Sequence, residues 1–266
     1  MSSTIFKPVL FIFIFALICS CEKNEPQPIV ENCKLSSYRS QNKGLSKFTY
    51  NSKGLVKSYS LDLQGYNTKV ELTHNDSGSL VSSLWYFDNV LGSKEIYTYQ
   101  NDHIIKTTIV DPTNDLNVYG HINIKYDSQG RIIEMKNEFG DPMIDRTLFY
   151  SYNAQGLVTK IELQNSVGNV VFVEIVKPKG NPSKSAVTFL KQHGLPYNLI
   201  FSEEFVEFEA GEGTIIELHL PETNGNLKIA GTRTISSINI NTNGYVDAIT
   251  SSDLVNSITF QFENCN

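Results

Sequence analysis

A short template repeats through residues 45–177, and this repeat constrains the fold of the 266-residue chain more than any other feature. An anchor residue stands at Tyr50, His74, Tyr99, Tyr126 and Tyr152, at intervals of 24, 25, 27 and 26 residues. A degenerate sixth copy carries Ile240 in that column. Two places before each anchor comes a large apolar residue, such as Phe48, Leu72 or Tyr150, with a smaller or polar residue between. Period-two alternation of this kind marks a strand with one buried face. Asn, Asp or Gln follows the anchor and bonds its own backbone through a turn. Gly stands four places after the anchor in five of six copies, and His103 takes its place in the third. A hairpin loop needs a left-handed residue there, which Gly adopts at low steric cost. Six places after the anchor an aliphatic residue opens the returning strand: Val56, Leu80, Ile105, Ile132, Val158 and Val246.

Turn signals also fall midway between anchors, at Gly65, Gly92, Asp111-Pro112, Gly140-Asp141-Pro142 and Gly168-Asn169. Each repeat is thus predicted to contribute two strands and two turns. The returning strands alternate less cleanly, with Val158 and Ile161 three apart, as expected where bulges bend a sheet. The predicted class is all-β: an antiparallel up-and-down meander of repeated β-hairpins, curled into an open barrel-like or strongly bent sheet.

The run Tyr126-Asp127 with Gly130, Arg131 and Ile132 resembles the YD repeat of rearrangement-hotspot proteins, and the YD-like repeats of secreted lipoproteins of unknown function. The resemblance spans about half the chain and implies a β architecture. In toxin-bearing members of the family such repeats form a shell around a payload. Five copies are too few for that, so the role is not expected here. A repeat family transfers a fold and no catalytic residues.

Residues 1–20 read as a secretory signal. Lys7 supplies a positive n-region, and Val9 to Ile18 form an apolar run too short to span a bilayer. Ser20-Cys21 then resembles the bacterial lipobox, whose cysteine takes lipid, making Cys21 the expected lipidation site and the membrane the expected partner. Cys19 is the rival position, but bulky Ile18 precedes it. Ordinary cleavage with Cys21 left as a thiol is the other alternative. Residues 21–32 form a polar, proline-bearing tether. Glu22, Lys23 and Glu25 within it resemble the acidic sorting patch of Bacteroidota-type surface lipoproteins, which implies an outer-membrane, surface-exposed location. A solvated periplasmic linker is the alternative. Residues 33–266 are expected to form a single β domain, with an insertion at 178–232 and closing strands at 233–266. Within the insertion, Ser183 to His193 suit a short helix, and Phe205–Phe208 and Thr214–Leu218 suit strands. A transmembrane barrel is not expected, because the strands carry charges such as Lys57, Glu71, Lys106, Glu134, Lys160 and Glu162 that lipid would penalise.

The chain holds four cysteines. With Cys19 removed and Cys21 lipidated, Cys33 and Cys265 remain. In an oxidising compartment such a pair is predicted to form a disulfide joining the first strand to the last. Two independent thiols are the alternative.

Motifs for catalysis are missing: there is no Gly-x-Ser-x-Gly, His-Glu-x-x-His or Cys-x-x-Cys. No catalytic residue, metal ligand or cofactor is therefore expected. The five histidines are scattered, and Gly211-Glu212-Gly213 reads as a turn. Glu203, Glu204, Glu207, Glu209 and Glu212 form an acidic cluster suited to a glycosidase pair or to calcium. Alternation of Glu207 and Glu209 with Val206 and Phe208 also fits the wet face of an edge strand. Trp85, Tyr86 and Phe87 are consecutive, so a strand turns at least one of them away from the others, where it could stack on a sugar. Net charge is −6 with no basic stripe, which disfavours nucleic acid. The expected function is a non-enzymatic binding or interaction module for a glycan, surface protein or other surface polymer. A carrier of a lipid or other apolar ligand is the alternative, and a glycan hydrolase is third.

Overall fold

A computed structural model describes residues 33–40, 44–63, 66–179, 211–242, 245–252 and 258–263. These residues form sixteen strands: β1 Lys34–Ser40, β2 Gly44–Tyr50, β3 Val56–Leu63, β4 Tyr66–His74, β5 Leu80–Phe87, β6 Val90–Gln100, β7 His103–Asp111 and β8 Asn114–Tyr126 in the first half. The second half holds β9 Ile132–Glu138, β10 Arg146–Tyr152, β11 Val158–Asn165, β12 Val170–Lys177, β13 Ile215–Pro221, β14 Leu227–Ile240, β15 Val246–Ser251 and β16 Ile258–Glu263. Each strand pairs antiparallel with its chain neighbours, and β1 pairs with β16, so the meander closes into a barrel. The expected all-β meander is therefore present, and its sheet is closed rather than open.

Register and burial fix which face looks inward. Tyr38 lies opposite Phe260, Phe48 opposite Tyr59, Tyr59 opposite Val70 and Tyr150 opposite Ile161, all of them buried. They belong to one continuous apolar cluster that runs around the wall. Fully burying one such side chain stabilises the fold by about 1.5–3 kcal/mol, so the inward columns of the repeat supply the main driving force. The outer face carries ion pairs between and along strands: Lys69–Glu71, Lys125–Glu134, Lys136–Glu138 and Lys160–Glu162. Apolar inside and charged outside is the reverse of a membrane-spanning barrel, whose outer band is apolar.

The turns account for the rest of the template. Asn51 accepts on Oδ1 from the N–H of Lys53 at 2.9 Å and of Leu55 at 3.0 Å, and Asp127 and Asn153 repeat the arrangement. Gly54, Gly78, Gly130 and Gly156 all have positive φ, between 76° and 87°. His103 departs from its assigned role. In that copy Asn101 and Asp102 hold positive φ, at 49° and 63°, and His103 opens β7. This loop is one residue shorter, since Tyr99 pairs with Ile104 whereas Tyr126 pairs with Ile132. Ile104, not Ile105, accordingly enters the core. Gly92 is likewise no turn. The reversal falls at Asp88-Asn89, both left-handed, and Gly92 lies within β6 where an added Cβ would meet Phe87 at 2.8 Å.

The boundary of the insertion also needs correcting. Strand β13 and the first part of β14 fall inside 178–232, yet β13 joins β12 to β14 in the barrel wall. The helix expected at 183–193 and the strand expected at 205–208 lie outside the described residues.

Candidate functional site

The two ends of the barrel are built differently. One end carries the template turns, at 51–55, 75–79, 101–102, 127–131 and 153–157, the paired residues Asn241 and Tyr245, Cys33 just before β1 and Glu263 at the end of β16. Here the anchor tyrosines stitch neighbouring repeats. Tyr50 donates its hydroxyl to the carbonyl of Leu35 at 2.7 Å, Tyr99 to Leu80 at 2.8 Å, Tyr126 to Ile104 at 2.9 Å and Tyr152 to Ile132 at 2.7 Å. A cation or ring from the preceding repeat covers some of these tyrosines. His103 stacks on Tyr126 with centroids 4.6 Å apart, and Arg131 lies 4.5 Å over Tyr152. Burial, with nearby Tyr99 adding to it, pushes the Tyr126 hydroxyl up to about 12.

The other end carries the second turns, and it is the apolar one. Among the described residues fifteen large apolar side chains are exposed, and thirteen of them sit on the hairpins at this end. Phe87, Val90 and Leu91 come from β5–β6, Leu116, Val118 and Tyr119 from β7–β8, and Met143 and Ile144 from β9–β10. Val167 and Val171 come from β11–β12, and Leu220, Leu227 and Ile229 from β13–β14. The outermost are 91% (Leu116), 78% (Met143), 76% (Val167) and 69% (Val90) exposed. Scattered exposed apolar residues need no explanation, but these are gathered on one rim. Long strands raise it: β8 has 13 residues and β14 has 14, and their first six are exposed.

Just inside the wall lies a polar patch. Ser83 donates to Glu95 Oε2 at 3.0 Å, Tyr97 donates to the same oxygen at 2.5 Å, and Trp85 donates Nε1–H to Ser83 Oγ at 3.1 Å. Burial raises the Glu95 carboxyl above the usual carboxylate range despite these donors. Tyr97 also shifts upward, first through burial and then through the charge of Glu95. The hydroxyl of Thr107, on the strand position opposite Tyr97, is buried with no hydrogen-bond partner among the described residues. A second inward carboxylate, Glu174, meets Arg233 at 3.1 Å.

The structure separates the residues singled out from sequence. Cys33 is buried and disulfide-bonded, whereas Cys21 and Cys265 lie outside the described residues. Of the acidic cluster only Glu212 is described, and it is exposed. Trp85 and Phe87 share the inner face and stack with centroids 6.5 Å apart. Tyr86 faces outward, where its hydroxyl donates to Glu71 at 3.2 Å. The apolar fringe is not legible in the sequence, because exposure at a hairpin tip leaves no periodic trace. Glu95 was within reach: alternation counted back from Tyr99 through Tyr97 puts it on the inner face.

No protein-family model and no curated protein matches this chain. Among solved structures, a porin-like protein from Bacteroides uniformis is 13% identical with a TM-score of 0.46, covering 86% of this chain and 96% of that one. A porin-like protein from Bacteroides vulgatus is 11% identical with a TM-score of 0.35, covering 87% and 99%. The Photorhabdus luminescens Tc holotoxin pore is 15% identical with a TM-score of 0.26, and the match covers 77% of this chain but 11% of the toxin chain. No activity passes to this protein through likenesses at these levels.

Proposed function

We propose that this protein is a lipid-anchored, cell-envelope binding module without enzymatic activity, and that the apolar fringe is the surface that meets its partner. One observation carries the proposal: the fringe gathers at the barrel end opposite Cys33, where the N-terminal tether joins. A module held by lipid at Cys21 would present that end away from its own membrane. The YD-type repeat supplies the scaffold, and irregular second turns supply the recognition surface, in keeping with the general placement of function on loops over a rigid frame.

Fringe chemistry favours a protein or apolar polymer over a bare glycan, since aliphatic side chains outnumber Tyr119 and Phe87 there. The test is a pull-down from envelope extract and a glycan array, with the chain carrying Leu116→Ser, Met143→Ser and Val167→Ser as control. Capture by the parent and loss in the triple variant, at unchanged melting temperature, is the expected result. Equal capture by both would overturn the assignment of the fringe.

Anchoring is tested separately. Cys21→Ala should abolish palmitate labelling and release the protein from the membrane fraction, because each buried methylene of the anchor contributes about 0.8 kcal/mol. Retained label in Cys21→Ala, with label lost in Cys19→Ala, would move the site.

A carrier role draws support from one feature, the inward patch of Glu95, Trp85 and the unpartnered Thr107 hydroxyl. Native mass spectrometry of protein taken from membranes separates the two roles. A co-purifying ligand lost in Glu95→Ala would favour the carrier.

A further inference from the structure

Carboxylates are set among the exposed apolar side chains of the fringe. Asp88 stands between Phe87 and Val90, Asp141 and Asp145 flank Met143 and Ile144, and Glu222 lies between Leu220 and Leu227. Asp111 and Asp115 add two more on the β7–β8 hairpin, beside Leu116. Against these stand Lys94, Arg146 and Lys228 on the same loops, and Lys94 is already held by Asp115 at 2.7 Å.

Turn formation accounts for an acceptor oxygen at these places but not for the charge. Asp88 accepts on Oδ1 from the N–H of Asn67 at 3.1 Å, Asp111 from Thr113 at 2.8 Å, Asp141 from Met143 at 2.9 Å and Asp145 from Phe139 at 2.5 Å. Each donor is a neutral backbone N–H. A neutral amide oxygen serves loop N–H groups in the same way at Asn51, Asn75, Asn153, Asn165 and Asn241. Asp127, the carboxylate that fills this role at the turn end, is neutralised by Arg131 at 2.6 Å. The fringe carboxylates other than Asp115 thus carry negative charge that their turns do not need.

We infer that the partner meeting the fringe is a cationic polypeptide, with Lys or Arg side chains interspersed among apolar ones. The inference rests on the proposed function, in which the fringe is the docking surface. A partner that covers Leu116, Met143 and Leu227 also closes over the carboxylates between them. A carboxylate taken from water without a counter-charge loses hydration that aliphatic contact does not replace, so an uncharged apolar polymer fits poorly. An acidic glycan or an anionic bilayer would add like-charge repulsion. Cations spaced among apolar side chains meet both demands, and the acidic loops would steer such a partner as it approached.

Fluorescence anisotropy on the full chain in phosphatidylcholine nanodiscs, with the signal of empty discs subtracted, tests the inference. The probe is a labelled amphipathic peptide of Leu and Lys, compared with the same pattern of Leu and Glu. The Leu/Lys probe should bind the parent at low salt, and the Leu/Glu probe should not. Asp88→Asn, Asp141→Asn and Glu222→Gln together keep the acceptor oxygens, so the melting temperature should hold. Loss of three exposed ion pairs should weaken the Leu/Lys probe by about tenfold. Asp76→Asn, Asp102→Asn and Glu212→Gln change net charge equally at the turn end, where all three are exposed, and should leave binding as in the parent. Equal binding of the two probes, equal weakening by the two triple variants, or a preference for phosphatidylglycerol vesicles over the Leu/Lys probe would each overturn the inference. The proposed function fails separately. It falls if Leu116→Ser, Met143→Ser and Val167→Ser leave envelope capture unchanged, whereas capture lost in that variant by a chain indifferent to probe charge would overturn the partner chemistry alone.

Discussion

The turn end and the fringe end are made from the same strands, yet they solve opposite problems. At the turn end most copies of the template supply their own polar groups: an Asx oxygen in five of six, a left-handed glycine in four of the described copies, and in four a tyrosine hydroxyl reaching the previous repeat. At the fringe end the loops differ from one another in length and residue type, and they hold apolar side chains in water. The first pattern lowers the free energy of the folded chain. The second raises it, and under the proposed function a partner covers that apolar surface. Substitutions at the two ends should therefore have separable consequences: stability at one, binding at the other.

The largest effect is expected where the first and last strands meet, at the turn end. Cys33 is disulfide-bonded, and Cys265 stands two residues beyond Glu263, which is paired with Lys34. Cys33→Ser should cost about 2–5 kcal/mol, because a bond to Cys265 closes a loop of most of the chain. Non-reducing peptide mapping checks the pairing, and an alkylatable Cys265 in protein from its native compartment would disprove it.

Next comes Gly130→Val. Gly130 has φ +76°, and an added Cβ would lie 3.1 Å from His103 Nε2. Strain of about 1–3 kcal/mol is expected, against little for Ser128→Ala on the same loop. Equal shifts in urea midpoint would mean that the turn does not contribute in this way.

Tyr152→Phe should cost about 0.5–1.5 kcal/mol, the net worth of one hydrogen bond, leaving the Ile132 carbonyl without that donor. A double-mutant cycle with Arg131→Ala measures the ring contact separately. No change in Tyr152→Phe would remove the stitch from the stability account.

Glu95→Gln tests the inner wall through pH. Its carboxyl has a raised pKa in the folded state, so the native protein holds a proton that the unfolded chain releases at lower pH. Stability from this group is then fullest below its unfolded pKa and is lost as pH rises through the folded one. Glu95→Gln should gain stability over the parent as pH rises from 4 to 8, at about 2–4 °C in melting temperature per kcal/mol. A parallel pH profile for parent and variant would contradict the assignment.

The smallest change in stability, below about 0.5 kcal/mol, is expected for Leu116→Ser with Val167→Ser. That pair should instead weaken partner capture. A large loss of stability would erase the contrast between the two ends.

What was legible in the sequence follows from range. The turn end could be read because each of its devices acts within six residues: Asp127 bonds Arg131, Gly130 bends between them, and Ile132 returns to the core. Even its one misreading was local. Asn101-Asp102 is itself a sound two-residue turn with both residues left-handed, so the copy that lacks glycine is shorter rather than strained. Strand β13 reads as part of an insertion because its partners, β12 and β14, are set by the ring and not by the template. The fringe could not be read at all. Val167 and Val176 are the same residue type, and only the closed barrel makes the first 76% exposed and the second 5% exposed.

Closure also governs the order of assembly. Fourteen of the sixteen strand pairings join strands linked by a short turn, and each can form as a hairpin on a timescale of about 1–10 μs, while β12 and β13 are neighbours in strand order separated by residues 178–214. The sixteenth, β1 with β16, brings Ser36 to Gln261 across 225 residues. Its loop entropy falls due only when the rest of the meander is in place. Synthesis therefore delivers the first strand long before its second partner exists. Until the last strand emerges, β1 remains a half-paired edge open to any other strand. The interval between the two is the period in which this protein's strand edge is most exposed to mispairing.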